Sequence, residues 1–455
     1  MKKIERRALI CRVLALLLTA GMAVFLFRWC TQGGEWASSA FNRHLYNSSG
    51  QLISGTVLDR DGDVLSAASD GKRTYYDNPT VRKATLHVVG DLQGNVGTGA
   101  LNAFADKLTG FNLIGGAFGA EKGGTLTLTI DAYFNRVAYE ALGGKAGAVG
   151  VYNYKTGEIL CLVSAPSYDP LNVPSDINTN PKYDGAYLNH FLTATFTPGS
   201  VFKTVTVAAA LEKLPDIESR TWTCSGSTQI DGQTITCSGT HGEETLAQAL
   251  ANSCNVAFAE IADELGAGTL QEYTRRAGLT DSYSVSGLPT ARGTFDFSGD
   301  TDADLGWAGV GQYHDLVNPC SLMVYMGAIA NGGRAAVPYL IARSVDSLGI
   351  PTSLHIPRRT GTLIQSTTAA RVADMMANNV AVTYGTKRFP NMDLCAKSGT
   401  AEVGADKSPH AWFAGFLRNE DAPYAFVVLV ENGGGGASVA GTVAGKVLNV
   451  IVNGY

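Results

Sequence analysis

The sequence predicts an α+β protein carried on a single apolar N-terminal helix, and three observations lead there. Strand-like runs lie near both ends of the chain, at 125–163 and again at 393–430. Helical patterns fill most of the interval between them, so the sheet must be completed by the C-terminus. Ala8 to Trp29 is almost wholly apolar, which is about the 20 residues a bilayer-spanning helix needs.

Length and composition bound the rest. A chain of 455 residues suits two or three domains, and 45% hydrophobic with 16% charged residues is ordinary for a globular protein. A net charge of -5 gives no reason to expect nucleic acid. No repeat of fixed period or low-complexity run is present.

Lys2, Lys3, Arg6 and Arg7 precede the apolar segment, and Arg12 lies inside it, near enough to one interface to snorkel. The expected division is a cytoplasmic tail at 1–7 and a membrane anchor at 8–29, with the rest outside. A cleaved signal peptide is the rival. The small residues Ala37-Ser38-Ser39-Ala40 lie too far beyond the apolar core to favour it, and Phe27-Arg28-Trp29 is too bulky for lipoprotein processing at Cys30.

Eight cysteines are too few for a disulfide scaffold. Cys11 is in the anchor, so at least one of the others is unpaired within the chain. Cys224 and Cys237 bracket a polar, turn-rich stretch. They either close a small loop, adding about 3 kcal/mol, or stand as two buried thiols. Cys254 and Cys395 read as packing thiols. The seven histidines show no ligand spacing, and no metal or other cofactor is expected.

Taken in order, the N-terminal extracellular region is expected over 30–145. Gly55 to Leu65 reads as a hairpin about an Asp-Gly turn. The Asp59-Arg60-Asp61-Gly62-Asp63 turn lacks EF-hand spacing and is taken as a plain turn. Thr125 to Ile130 alternates as a strand should, and Asp131 can cap a helix running through Leu142. The second unit is expected from 146 to 455. It opens with strands at Val149–Tyr154 and Ile159–Val163, joined through Lys155-Thr156-Gly157 as a hairpin turn. Residues 164–195 are loop-like.

Phe196-Thr197-Pro198-Gly199-Ser200-Val201-Phe202-Lys203 then leads into the apolar run Ala208–Leu211. Ser200 should start a helix, with Lys203 one turn on and on the same face. Burial of that lysine lowers its pKa towards neutrality, so its amine can take the serine proton. The free N–H groups of the first turn can hold an oxyanion. Taken alone, Ser-x-x-Lys is a weak signal and equally fits a capping serine with a surface lysine.

Helix formers flank Ser253-Cys254-Asn255. Residues two apart diverge on a helix, so Ser253 and Asn255 share a cleft only if the backbone turns between two helices there; otherwise they are capping residues. Thr269–Gly278, Pro319–Asn331 and Ser366–Asn378 read as helical, with Gly332-Gly333 a stop. Asp393–Val403 reads as a strand with Lys397 and Gly399 on one face and Ser398 and Thr400 on the other, unless the strand twists at Gly399. A lysine with two hydroxyls suits a carboxylate. Strands at Ala411–Leu417 and Tyr424–Val430 and a closing helix at Val439–Val452 follow.

Ser200-Val201-Phe202-Lys203, Ser253-Cys254-Asn255 and Lys397-Ser398-Gly399 thus stand in a fixed order that recurs in penicillin-binding proteins and class A β-lactamases. Over 146–455 the sequence resembles the transpeptidase domain of class B penicillin-binding proteins. Thr197-Pro198-Gly199, His241-Gly242, Gly309-Val310-Gly311-Gln312, Ala330-Asn331-Gly332-Gly333, Thr400-Ala401-Glu402 and His410-Ala411-Trp412-Phe413 extend the likeness. The resemblance implies the serine acyltransferase fold, an antiparallel sheet flanked by helices plus an all-helical lobe. It also implies that Ser200 is the nucleophile, Lys203 its base, Ser253 a proton relay and Lys397 a positive neighbour. Asn255, Ser398, Gly399 and Thr400 would bind substrate.

The implied reaction crosslinks peptidoglycan stem peptides with release of D-alanine, and β-lactams would acylate Ser200. A wall-synthesis glycosyltransferase is the implied partner. The rivals are a D,D-carboxypeptidase, a β-lactamase or β-lactam sensor, and an idle scaffold. No glutamate motif for activating water stands out. The sequence departs from the family where Tyr313 stands in place of the glycine of many relatives, where Ser398 replaces the commoner threonine, and in a first extracellular region that is short for the class.

Overall fold

The computed structural model describes residues 2–39, 45–117, 123–353, 356–404 and 406–454. Ala40 of the small-residue run lies outside them. One helix, Lys2–Ala37, opens the chain, long and apolar enough to cross a membrane. It runs past the expected end at Trp29 because its last turns find a partner. Trp29 meets Phe111 edge-on at 5.1 Å, and Gly33 and Ala37 are buried. A Cβ at Gly33 would lie 2.3 Å from the Phe111 ring.

The N-terminal hairpin forms as the Asp-Gly turn predicts, with Thr56–Leu58 antiparallel to Val64–Ser69. Asp59 Oδ1 accepts the Asp61 and Asp63 N–H groups, and Oδ2 accepts Ala132 N–H. Asp131 caps the helix Ala132–Leu142 by accepting from Tyr133 and Phe134. Thr125–Leu128 lies parallel to Thr56–Leu58. Its other edge pairs with Ile341–Val345, which in turn pairs with Pro351–Ser353. With Lys72–Tyr75 paired to Val64–Ser69, this six-stranded sheet draws on both regions. The two late strands carry exposed polar residues and weak alternation, which hid them in the sequence.

A second sheet has the order Leu394–Ala401, His410–Leu417, Tyr424–Val430, Gly147–Asn153, Ile159–Ala165, all antiparallel. The C-terminus completes it, as expected. Its inner strands are buried on both faces and read as continuous apolar runs. One face carries Val149, Val151, Phe413 and Val428 against the helices Ala132–Leu142 and Gly441–Asn453. The other carries Tyr152, Trp412, Phe416 and Leu429 against a helical lobe that includes Lys203–Lys213 and Pro319–Ala330. Each large apolar side chain buried there contributes about 1.5–3 kcal/mol.

The lobe is not purely helical. Thr221–Cys224 pairs with Gly242–Thr245, and Ser227–Ile230 with Gln233–Thr236. This small β arm packs on the helix Asn255–Arg276 through Ile230 and Ile235, which meet Ala259.

Candidate active site

The three sequence motifs converge on one cleft of about 550 Å³, lined by Ser200, Ser253, Asn255, Ser398 and Thr400, with Gln312, Tyr313 and Glu402 at its rim. Ser200 sits in a single 3₁₀ turn, Gly199–Val201, directly before the helix Lys203–Lys213. Gly199 has φ +56°, and a Cβ there would lie 2.6 Å from the Thr400 carbonyl. Only glycine lets the Ser200 turn press this closely on the Lys397 strand. Gly399 serves from the other side, since a Cβ would lie 2.8 Å from the Pro198 carbonyl. Trp412 Nε1 donates to Thr197 O at 2.9 Å and fixes the same turn to the sheet.

Helices Leu246–Asn252 and Asn255–Arg276 meet at Ser253, whose φ is +59°. This is the turn the sequence requires if Ser253 and Asn255 are to share a cleft. Cys254 caps the second helix, its Sγ accepting from Ala257 N–H.

Lys203 is fully buried. Its Nζ donates to Ser253 O at 2.6 Å, to Asn255 Oδ1 at 2.8 Å and to Ser253 Oγ at 3.4 Å. Burial pulls its pKa down to about 7. Lys397 is also fully buried. Its Nζ donates to Ser253 Oγ at 2.9 Å and to Ser398 O at 2.9 Å. Burial first, and the Lys203 charge second, hold Lys397 well below the ordinary ammonium range. A hydroxyl has one proton and two lone pairs. With Lys203 neutral, Ser253 can accept from Lys397 and donate to Lys203, which gives the proton a path between lysine and cleft.

Asn255 is braced by Nδ2 donating to Thr236 O at 2.9 Å. Ser398 and Thr400 line the cleft. Thr400 Oγ1 accepts from Gly436 N–H at 3.2 Å, and Gln312 Nε2 donates to Thr400 O at 3.3 Å.

Tyr384 belongs to none of the sequence motifs. It ends the helical segment that begins at Ser366, and its buried hydroxyl accepts Ser398 N–H at 2.8 Å and donates to Ser398 Oγ at 3.0 Å. Only its placement on a π turn, Val380–Tyr384, aims it at the strand, and no local pattern announces that turn. Tyr313 adopts φ +70°, the conformation for which glycine is the natural residue.

The Penicillin binding protein transpeptidase domain model matches residues 147–451. The chain belongs to this family. It is 30% identical over 429 residues to the peptidoglycan D,D-transpeptidase PbpA of Mycolicibacterium smegmatis, covering 86% of this chain and 85% of the relative. Among solved structures, the ceftriaxone acyl-enzyme of penicillin-binding protein A from M. tuberculosis superposes with TM-score 0.77 at 25% identity, covering 88% of this chain and 98% of that one. The D,D-transpeptidase domain of a peptidoglycan glycosyltransferase from Eggerthella lenta gives 0.76 at 26% identity, covering 88% and 98%.

Proposed function

We propose that the chain is a membrane-anchored peptidoglycan D,D-transpeptidase acting through a Ser200 acyl-enzyme. The observation that carries this is the convergence of two buried lysines on the Ser253 hydroxyl, in a cleft that also holds Ser200. Neutral Lys203 takes the Ser200 proton as Oγ attacks the carbonyl between the two terminal D-alanines. The N–H groups of Ser200 and Thr400 hold the oxyanion. Ser253 passes a proton to the departing D-alanine amine, with Lys397 keeping the local field positive. Asn255 binds the substrate amide, and Ser398 and Thr400 take the terminal carboxylate beside Gly399.

An amine from a neighbouring stem peptide then attacks the ester and loses its proton to Lys203, which returns it to Ser200 Oγ as that oxygen leaves. A new amide crosslink remains. A β-lactam presents the same carbonyl and traps the ester. The N-terminal helix would tether the chain to the membrane, with the tail at 1–7 inside and the catalytic unit outside. A glycosyltransferase that supplies glycan strands is the expected partner.

Fluorescent penicillin labelling of the full chain beside Ser200→Ala tests the reading, with the label followed for hours. A lasting adduct on the wild type alone supports it, and crosslinking of stem peptides completes the case. Rapid loss of label would make the protein a β-lactamase. No label on a folded wild type would make it a scaffold.

A further inference from the structure

Four donors of a kind that bind soft divalent cations meet beside the cleft. They are the thiol sulfurs of Cys224, Cys237 and Cys254 and a ring nitrogen of His241, all within 4.8 Å of one another. They come from separate pieces of chain. Cys224 ends the strand Thr221–Cys224, and Cys237 follows the strand Gln233–Thr236. His241 immediately precedes the strand Gly242–Thr245, and Cys254 lies between Ser253 and Asn255. The spacing is Cys-x₁₂-Cys-x₃-His-x₁₂-Cys, so the fold and not a short motif gathers them.

Zinc with three thiolates and one imidazole needs Zn–S near 2.3 Å and Zn–N near 2.0–2.1 Å, which sets ligand atoms about 3.5–3.8 Å apart in a tetrahedron. Cys237 Sγ and His241 Nδ1 are already 3.7 Å apart.

Three further observations favour a cation over a disulfide. Asn255 N–H donates to Cys237 Sγ at 3.2 Å and Ala257 N–H to Cys254 Sγ at 3.5 Å, the backbone support that metal thiolates use. Glu244 is buried, and its Oε2 has no hydrogen-bond partner, yet lies 3.6 Å from His241 Nδ1. A nearby cation would compensate that oxygen. Finally, a disulfide joins only two of the four donors and leaves a thiol and an imidazole facing it. Cys224 Sγ lies 3.5 Å from the Gly239 carbonyl, a contact that metal binding would replace.

We infer that Cys224, Cys237, His241 and Cys254 form a structural zinc site that fastens the β arm to the Ser253–Asn255 turn. Binding releases the thiol protons to solvent and leaves the imidazole neutral. All four positions are filled by protein, so the site has no opening for substrate and is not catalytic. Its reach into the cleft is short. Cys254 is the neighbour of both Ser253 and Asn255, and Thr236, which braces the Asn255 amide, is the neighbour of Cys237.

The experiment uses the full chain in detergent, purified without chelator or reductant from zinc-supplemented culture. Elemental analysis is run on the wild type, Cys237→Ser, His241→Ala and Ser200→Ala. The expected result is about one zinc per chain in the wild type. Ser200→Ala should keep it, since loss of acylation leaves the metal alone, and both ligand variants should lose most of it. Where a variant fails to fold, the zinc of the wild type is exchanged for cobalt(II). Thiolate-to-cobalt charge-transfer and tetrahedral ligand-field bands should appear, and zinc should erase them. Wild type with only traces of zinc, a Cys224–Cys237 disulfide in the unreduced peptide map, full zinc in both folded variants, or no cobalt bands would each overturn the inference.

Discussion

Lys203 and Lys397 reach the same hydroxyl from two different elements, one from the helix after Ser200 and one from the edge strand of the main sheet. Two ammonium groups this close in a buried site oppose each other, so the pair favours a form in which one lysine is neutral. Penicillin acylation should therefore rise with pH through an inflection near the Lys203 value of about 7. Stopped-flow or quenched labelling between acid and alkaline pH measures it. Lys203→Arg, which cannot lose its proton, should slow acylation by roughly 10²-fold or more across the range.

The same burial sets a pH dependence of stability. An unfolded Lys203 titrates near 10.4, and the folded one near 7. Between those values the unfolded chain holds the extra proton, so this residue makes stability rise with pH across that window and adds no slope below it. In Lys203→Met, denaturant midpoints should lose that part of the upward slope between neutral and alkaline pH.

Tyr313 pays for its left-handed backbone with the clash between Cβ and its own carbonyl. That conformation costs a residue other than glycine about 1–2 kcal/mol. Tyr313→Gly should be more stable than Tyr313→Ala by about 1 kcal/mol, since alanine keeps the strain without the ring. Calorimetry on the two variants reads the difference directly.

Gly399→Ala would push a methyl against the Pro198 carbonyl and part the Ser200 turn from its strand. A displacement near 1 Å at a reacting group can cost about 10²-fold in rate. Acylation should fall by that order while circular dichroism stays close to wild type.

Tyr384→Phe should leave Ser398 N–H buried without its acceptor, at a cost of about 1–3 kcal/mol. The loosened strand should also bind terminal carboxylates less well. The variant should therefore raise KM for stem peptide more than it lowers kcat, a split that steady-state release of D-alanine resolves. Glu402, which is exposed, is the one carboxylate among the residues lining the cleft. Glu402→Gln should leave the lifetime of the penicilloyl adduct unchanged, as a transpeptidase reading requires.

Much of this was legible in the sequence because local signals and the global fold agree. Asp131 reads as a cap and caps. Ser253 and Asn255, two apart, can share a cleft only across a break between helices, and the left-handed Ser253 supplies it. Apolar runs at both ends of the chain implied a sheet that closes late. What stayed hidden depends on distant partners. The Ile341–Val345 strand is recognised only by the edge it joins. Tyr384 matters only because a π turn rotates it towards Ser398. The four donors of the proposed zinc site follow no short spacing motif, since the β arm and the Ser253–Asn255 turn bring them together only in the fold.

The shared six-stranded sheet also orders events in time. Thr125–Leu128 emerges early in synthesis, with one edge paired to its hairpin and the other bare until Ile341–Val345 arrives. An unpaired edge is a template for any passing strand. The early part of the chain must therefore wait, exposed, for residues made long after it, and a nascent chain stalled before residue 341 would present that edge to its neighbours on the same message.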